Sequence, residues 1–266
     1  MPELPEVETI KRDLEKIILG EKFVKICVHQ AGVIRQPSAK LFSQGLVGLR
    51  VKNILRRGKL LIFELSNGQA LTIHLKMTGQ LVYPGGSSKS RVAFYFTGGK
   101  ILDFNDQRLF GELRLVDRWE TLKFVQELGP EPFDLTCRVF QDMLLKKKTA
   151  IKPLLLDQKF ISGIGNIYAA EILYRAKINP LRSSKTLLQN EVETLFCQTI
   201  AVLKMAIKCG GSSVDDYVRV SGENGDYARH HQVYGRQGRP CFVCKNLIQR
   251  ITQGSRGTYF CPHCQR

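Results

Sequence analysis

Two short cysteine pairs near the C-terminus constrain this chain more than any other feature. Cys241-x-x-Cys244 and Cys261-x-x-Cys264 are separated by sixteen residues, within the spacing window of structural zinc sites. Each C-x-x-C turn aims two sulfurs at one point, and two such turns complete a closed tetrahedral Zn²⁺ site. The alternative, a pair of disulfides, is disfavoured by the intracellular setting expected below. The segment is therefore expected to fold as a β-ribbon zinc finger with Arg256 on the hairpin between the knuckles. His263, inside the second knuckle, is expected to face solvent. Cys27, Cys137, Cys197 and Cys209 lie among apolar neighbours and read as buried free thiols.

Charge points to the partner. The 266 residues carry 40 Lys+Arg against 24 Asp+Glu, a formal net charge of +16. Seven of the cations (Arg229, Arg236, Arg239, Lys245, Arg250, Arg256, Arg266) fall between Tyr227 and Arg266, where there is no acid. A zinc with four thiolates carries only −2, so this excess exceeds what the metal site needs. Lys146-Lys147-Lys148 with Lys152, and Arg56-Arg57 with Lys59, form two further clusters. Any one cluster reads equally as a solvated face. Three of them beside a metal motif point to a phosphate-binding surface, with nucleic acid ahead of an anionic membrane. No stretch is apolar enough to span a bilayer, and no secretory signal is legible. The expected setting is cytoplasmic.

The rest of the chain divides by periodicity. Leu4, Val7, Leu14 and Ile17/Ile18 form an apolar stripe behind an early Pro5, which predicts a helix ending at Gly20. Strand-like runs follow at 22–29, 50–56, 59–66, 69–75, 80–83, 91–96, 100–104 and 112–116, separated by Gly-rich turns. Short strands so punctuated predict an antiparallel sandwich or barrel. After Gly129-Pro130-Glu131-Pro132 the periodicity becomes helical, from about 135 to 220. Segment 221–240, rich in Gly, Arg and His, reads as a mobile loop. These shifts place a β-sandwich at 1–130, a helical domain at 131–225, and a loop with the zinc finger at 226–266.

The opening residues carry chemistry. Removal of Met1 exposes Pro2 as a secondary α-amine with a pKa of about 8, partly unprotonated at neutral pH. Attack on a sugar C1′ would give an iminium, an electron sink like a lysine Schiff base. Glu3 and Glu6 flank it, one able to serve as acid and the other to position charge. Taken alone, the same residues are also good helix-start chemistry.

Pro2-Glu3-Leu4-Pro5-Glu6-Val7-Glu8-Thr9 resembles the opening of bacterial formamidopyrimidine-DNA glycosylases. The likeness continues through Arg57-Gly58-Lys59, His74-Leu75-Lys76-Met77-Thr78-Gly79 and Asp106-Gln107-Arg108-Leu109-Phe110-Gly111. It runs on through Lys146–Pro153, Gly163-Ile164-Gly165-Asn166-Ile167-Tyr168 and Val233-Tyr234-Gly235-Arg236. The resemblance implies a multidomain α and β fold: an N-terminal sandwich with its helix, a helix–two-turn–helix domain and the zinc finger. It implies a bifunctional glycosylase and abasic-site lyase that removes 8-oxoguanine and formamidopyrimidines, then cleaves by β,δ-elimination. By the same resemblance Pro2 is the nucleophile, Glu3 the proton donor and Lys59 an acid–base group. Glu6 lies near the reaction centre, and Arg256 grips a phosphate and assists δ-elimination. Lys148 and Asn166 match DNA-binding residues.

A base inside a duplex must be flipped out, and the hole it leaves must be filled. Met77, Arg108 and Phe110 match the family's wedge, although Met77 and Phe110 in isolation read as core residues. The 218–229 loop matches a segment that closes over the lesion. Two departures stand out. Gln107 and Leu109 replace a common proline and second arginine, which bears on opposite-base preference, and Lys89 stands where a histidine is common. Competing readings are an endonuclease VIII-like glycosylase for oxidised pyrimidines, disfavoured by Leu4, and a non-catalytic damaged-DNA-binding protein. A zinc-ribbon RNA-binding module is a more distant one. A monomer is expected, with duplex DNA as partner and one structural zinc as the only cofactor.

Overall fold

Helix α1 (Leu4–Ile18) starts the chain in a computed structural model that describes residues 1–266. Its residues Val7, Ile10, Leu14 and Ile18 recur every three or four positions and enter the core of the first of two compact units, Met1–Gln126 with Cys209–Asp226. Beyond it run β1 (Phe23–Val28), β2 (Ile34–Gln36), α2 (Ala39–Leu46), β3 (Val51–Arg57), β4 (Leu60–Leu65) and β5 (Ala70–His74). Then come β6 (Gly79–Val82), β7 (Ser90–Phe96), β8 (Ile101–Asp106), β9 (Glu112–Val116) and α3 (Lys123–Gln126).

The strands form two sheets, ordered β1-β7-β8-β6 and β2-β9-β5-β4-β3. All pairings are antiparallel except β2 with β9. Phe23, Phe94, Phe96 and Phe104 from the first sheet share one core with Leu61, Phe63, Leu71, Ile73 and Leu113 from the second. Alternation along β4 explains why it is almost wholly apolar. Leu61, Phe63 and Leu65 face that core, whereas Leu60 and Ile62 face a second cluster with Val116 and Val125. The eight expected strands are all present. Segment 31–46 also contains β2 and α2, which the pattern reading missed. There Ser38 caps α2, its Oγ accepting from the Leu41 N–H at 3.4 Å.

The second unit is Glu127–Lys208 with Tyr227–Arg266. It holds α4 (Cys137–Leu145), α5 (Ile151–Leu156), α6 (Asn166–Arg175) and α7 (Gln189–Lys208), then the hairpin β10 (Gln249–Gln253) and β11 (Arg256–Phe260). Helical periodicity was expected to about 220, but it stops at Lys208. Gly210 and Gly211 follow with φ of +73° and +86°, and the chain joins the first unit, where the Tyr83 N–H donates to the Val220 carbonyl at 2.7 Å. Segment 221–240 is not a uniformly loose loop: Tyr227 is wholly buried, and 232–234 is held by hydrogen bonds described below. The four scattered cysteines are free, but none is buried. Cys27, Cys137 and Cys209 are half-buried and Cys197, on the outer face of α7, is exposed.

Candidate active site and zinc centre

The first unit buries the start of the chain in a hydrogen-bonded cluster. Pro2, Glu3 and Glu6 are all buried. The Glu3 N–H donates to Glu6 Oε2 at 2.8 Å, one half of a capping box at the α1 start. Glu6 Oε1 accepts the Ser212 N–H at 2.8 Å, so this carboxylate ties the 209–226 segment to the helix. Glycine is required beside it: a Cβ on Gly211 would come within 3.0 Å of Glu6 Oε1. While Met1 is attached, the Pro2 nitrogen is an amide; the secondary amine exists only once Met1 is removed.

Lys59 occupies the second place of the two-residue loop joining β3 to β4 and is 8% exposed. Gly58, before it, has φ +57°, which such a tight hairpin loop demands of its first residue. Arg56 fixes this loop. Its Nη1 donates to the Gly58 carbonyl at 3.0 Å and its Nε to Glu8 Oε2 at 3.0 Å. Burial works against ionisation of Glu8, but Arg12 and Arg56 outweigh it and hold its carboxyl below the ordinary range. The helix bearing Glu3 and Glu6 and the loop bearing Lys59 are thereby tied together. His74 pairs with Leu60 at the adjacent end of β5. Its burial, then the charges of Lys76 and Lys59, bring its pKa down to about 3. The Lys76 N–H donates to His74 Nδ1 at 3.0 Å, so the neutral ring carries its proton on Nε2.

Asp106 organises the turn bearing Arg108 and Phe110. Its carboxylate accepts the Gly111 N–H at 2.6 Å, the Arg108 N–H at 3.2 Å and the Thr78 hydroxyl. Above this anchor the Arg108 guanidinium lies 4.7 Å from the Phe110 ring, and its Nη1 is 3.4 Å from Met77 Sδ. Met77 is 44% exposed and Phe110 47%, so neither is a core residue. Leu109, with φ +57°, turns inward against the sandwich core. Lys89 is exposed and lines a cavity of about 440 Å³ with Thr78, Gln80, Arg91, Asn105 and Asp216.

In the second unit Asn166 opens α6, but its side chain is already engaged. Asn166 Oδ1 accepts Lys152 Nζ at 2.7 Å and Nδ2 donates to the Gly257 carbonyl at 3.1 Å. Lys152 Nζ also donates to Thr258 Oγ1 at 2.7 Å. These bonds hold the hairpin on which Arg256 stands exposed. Lys148 is exposed between α4 and α5. Glu171 is 0% exposed and accepts three backbone N–H groups, from Gln232 at 2.8 Å, Val233 at 3.0 Å and Tyr234 at 2.9 Å. Burial nevertheless pushes its carboxyl above the ordinary range, against the pull of those donors.

The four knuckle cysteines place their Sγ atoms within 4.8 Å of one another. Cys244 and Cys261 are 3.4 Å apart, and Cys241 and Cys264 3.9 Å, too far for disulfides. Zn–S bonds of about 2.3 Å put tetrahedral sulfurs about 3.8 Å apart, so the cluster fits one structural zinc. His263 is exposed and takes no part.

Three family models match the chain. The formamidopyrimidine-DNA glycosylase N-terminal domain matches residues 1–113, its H2TH domain 128–218, and the zinc finger found in FPG and IleRS 238–266. The chain belongs to the formamidopyrimidine-DNA glycosylase family. A glycosylase of this name from Pelotomaculum thermopropionicum is 41% identical over 274 residues, covering 100% of this chain and 99% of the relative. One from Streptococcus pneumoniae is 40% identical with the same coverage. Among solved structures, a Lactococcus lactis FPG mutant in complex with Fapy-dG DNA is 35% identical, with a TM-score of 0.92 and coverage of 100% of both chains. Thermus thermophilus MutM (FPG) is 36% identical at a TM-score of 0.90, covering 99% of this chain and 98% of that one. The family is one of glycosylases with abasic-site lyase activity, and the chain is a DNA-repair enzyme that acts on damaged DNA. Its helical domain is the H2TH domain and its ribbon the zinc finger.

Proposed function

We propose that this enzyme excises oxidised purines, 8-oxoguanine and formamidopyrimidines, from duplex DNA and then nicks the abasic strand by β,δ-elimination. The observation that supports this reading best is the α1 start. Buried Pro2 precedes the Glu3–Glu6 capping pair on a helix tied through Glu8 and Arg56 to the Lys59 loop.

With Met1 removed, the Pro2 nitrogen attacks C1′ of the damaged nucleotide. The N–C1′ bond forms as the glycosidic bond breaks, and the base leaves with that electron pair and is protonated. Glu3 gives a proton to O4′ as the sugar ring opens, and the amine loses its own proton, leaving an iminium. The iminium acidifies C2′. Loss of a C2′ proton, with Lys59 serving the acid–base steps, expels the 3′ phosphate together with its C–O electrons. A second elimination expels the 5′ phosphate, gripped by Arg256, and water frees the proline. Glu6 positions rather than reacts, since both oxygens accept backbone N–H groups.

Met77 and Phe110 replace the stacking of the flipped base while Arg108 hydrogen-bonds its orphaned partner. Lys89, Lys148, Asn166 and Arg256 contact phosphates. The enzyme works as a monomer in the cytoplasm, at the nucleoid. A Lactococcus lactis FPG, 35% identical, has been solved in a complex with oxidised-pyrimidine DNA, so pyrimidine lesions are the natural comparison. Single-turnover excision of 8-oxoguanine opposite cytosine is expected to exceed that of thymine glycol by at least about tenfold. The reverse order would place the enzyme with the pyrimidine glycosylases.

A further inference from the structure

Tyr174 is the last aromatic residue of α6, 7% exposed, and packs with Ala170, Val233, Ile248 and the cysteines Cys241 and Cys261. Its hydroxyl lies 3.2 Å from Cys241 Sγ. A zinc-bound thiolate has no proton to give, so in the metal-loaded protein the tyrosine hydroxyl is the donor. The other sulfurs are served unequally. Cys241 also receives the backbone N–H groups of Val243 and Cys244. Cys244 receives Asn246 Nδ2 at 3.5 Å and the Asn246 backbone N–H, and Cys261 receives the Cys264 N–H at 3.4 Å and the His263 N–H, two donors each against three on Cys241. The hydrogen-bond contacts of Cys264 Sγ are with the other sulfurs alone, and Cys264 is half-buried beside an open cavity lined by Lys177, Val243, Cys244, His263 and Arg266.

We infer that Tyr174 is a positioning residue of the zinc centre, donating its hydroxyl hydrogen bond to the Cys241 thiolate and so leaving Cys264 as the thiolate that reacts first. Each donor on a metal thiolate withdraws electron density and shares the −2 charge of a four-thiolate zinc, which lowers the nucleophilicity of that sulfur. Cys241 is the most protected sulfur of the four and sits against the helix. Cys264 is the least protected and faces the cavity. Alkylation by iodoacetamide reads this directly: the sulfur lone pair forms the S–C bond, iodide leaves, the Zn–S bond breaks and the metal is released. Tyr174→Phe keeps the ring in its packing and deletes only the donor.

The inference rests on the zinc-finger reading, and zinc analysis of the purified protein tests that reading separately by finding about one zinc per chain. The experiment uses full-length, zinc-loaded enzyme and follows zinc release with a chromogenic chelator, mapping the alkylated cysteines by mass spectrometry. The wild type is expected to be modified first at Cys264. Tyr174→Phe is expected to release zinc several-fold faster and to gain early modification at Cys241. Cobalt-substituted protein gives a readout that packing alone would not move: the thiolate-to-cobalt charge-transfer band should shift to lower energy in Tyr174→Phe. Unchanged release rate, modification order and band position in the variant would overturn the inference. So would a wild type in which Cys241 reacts first.

Discussion

The β-sandwich and the zinc ribbon solve the same stability problem by different means. The sandwich buries one continuous apolar core between two sheets, in which Phe23, Phe63, Phe94, Phe96 and Phe104 are all 2% exposed or less. Each buried side chain of this size contributes about 1.5–3 kcal/mol of burial. Around the ribbon the apolar cluster is small. Ala170, Tyr174, Val233 and Ile248 gather about two of the cysteines themselves. What fastens it is polar: Asn166 and Lys152 on the hairpin, Glu171 on three backbone N–H groups, Tyr174 on Cys241. All but Lys152 belong to α6, so one helix is the spine on which the metal module is mounted. The sandwich can hold chemistry rigidly by packing alone, whereas the ribbon depends on its metal and on a few bonds that single substitutions delete.

Metal removal should break this contrast most sharply. Structural zinc contributes about 10–16 kcal/mol of apparent binding free energy in isolated fingers. Stripping the ion with a strong chelator should abolish amide protection in β10 and β11 while β4 and β5 keep theirs in hydrogen exchange. Loss of protection in both would show that the sandwich is not independent of the metal. The counterpart in the sandwich is Phe94→Ala, expected to cost about 3–5 kcal/mol in denaturant unfolding without altering zinc content. Next in size, Glu171→Gln replaces one acceptor oxygen by an amide that opposes N–H donors. It should destabilise by about 1–3 kcal/mol and speed exchange at residues 232–234.

The smallest effect is on pH. Burial lowers His74 in the sandwich to about 3 and His231 in the second unit to about 4, both below the ordinary value of 6.5. The unfolded chain therefore binds protons first as pH falls below 6.5. Stability present above 6.5 is lost progressively, ending near 4 for His231 and near 3 for His74. Between pH 7.5 and 6 the loss is below about 1 kcal/mol for each group. Imidazole NMR should show His74 neutral at pH 5; a charged ring there would contradict the account.

Much of the sandwich was legible because its strands alternate and its turns carry glycine, as Leu71, Ile73 and Leu75 show against Thr72, His74 and Lys76. Strand β2 and helix α2 were not, because a three-residue parallel strand carries no period and its partner β9 is distant in sequence. At the site, the knuckle cysteines were legible from their spacing, whereas the chain start drew notice through its resemblance to the family's opening rather than through its own chemistry. Lys152, Glu171 and Tyr174 were not legible. Helix α6 is buried from Ile167 to Tyr174, so no amphipathic stripe shows which polar atom points where. The remaining signal was a lone glutamate inside an apolar helix, which a buried chain tolerates only when its oxygens are occupied. The exposure of Met77 and Phe110 fits the wedge that the resemblance implies and not the core, which residue type in isolation would favour.

The central claim is that Pro2 forms a covalent bond to DNA. Borohydride reduction during turnover on an 8-oxoguanine:cytosine duplex, followed by peptide mapping, tests it directly. Enzyme lacking Met1 should give a stable adduct on the Pro2 nitrogen, and enzyme retaining Met1 should give none. An adduct mapped to a lysine, or active Met1-free enzyme that yields no adduct, would contradict the account.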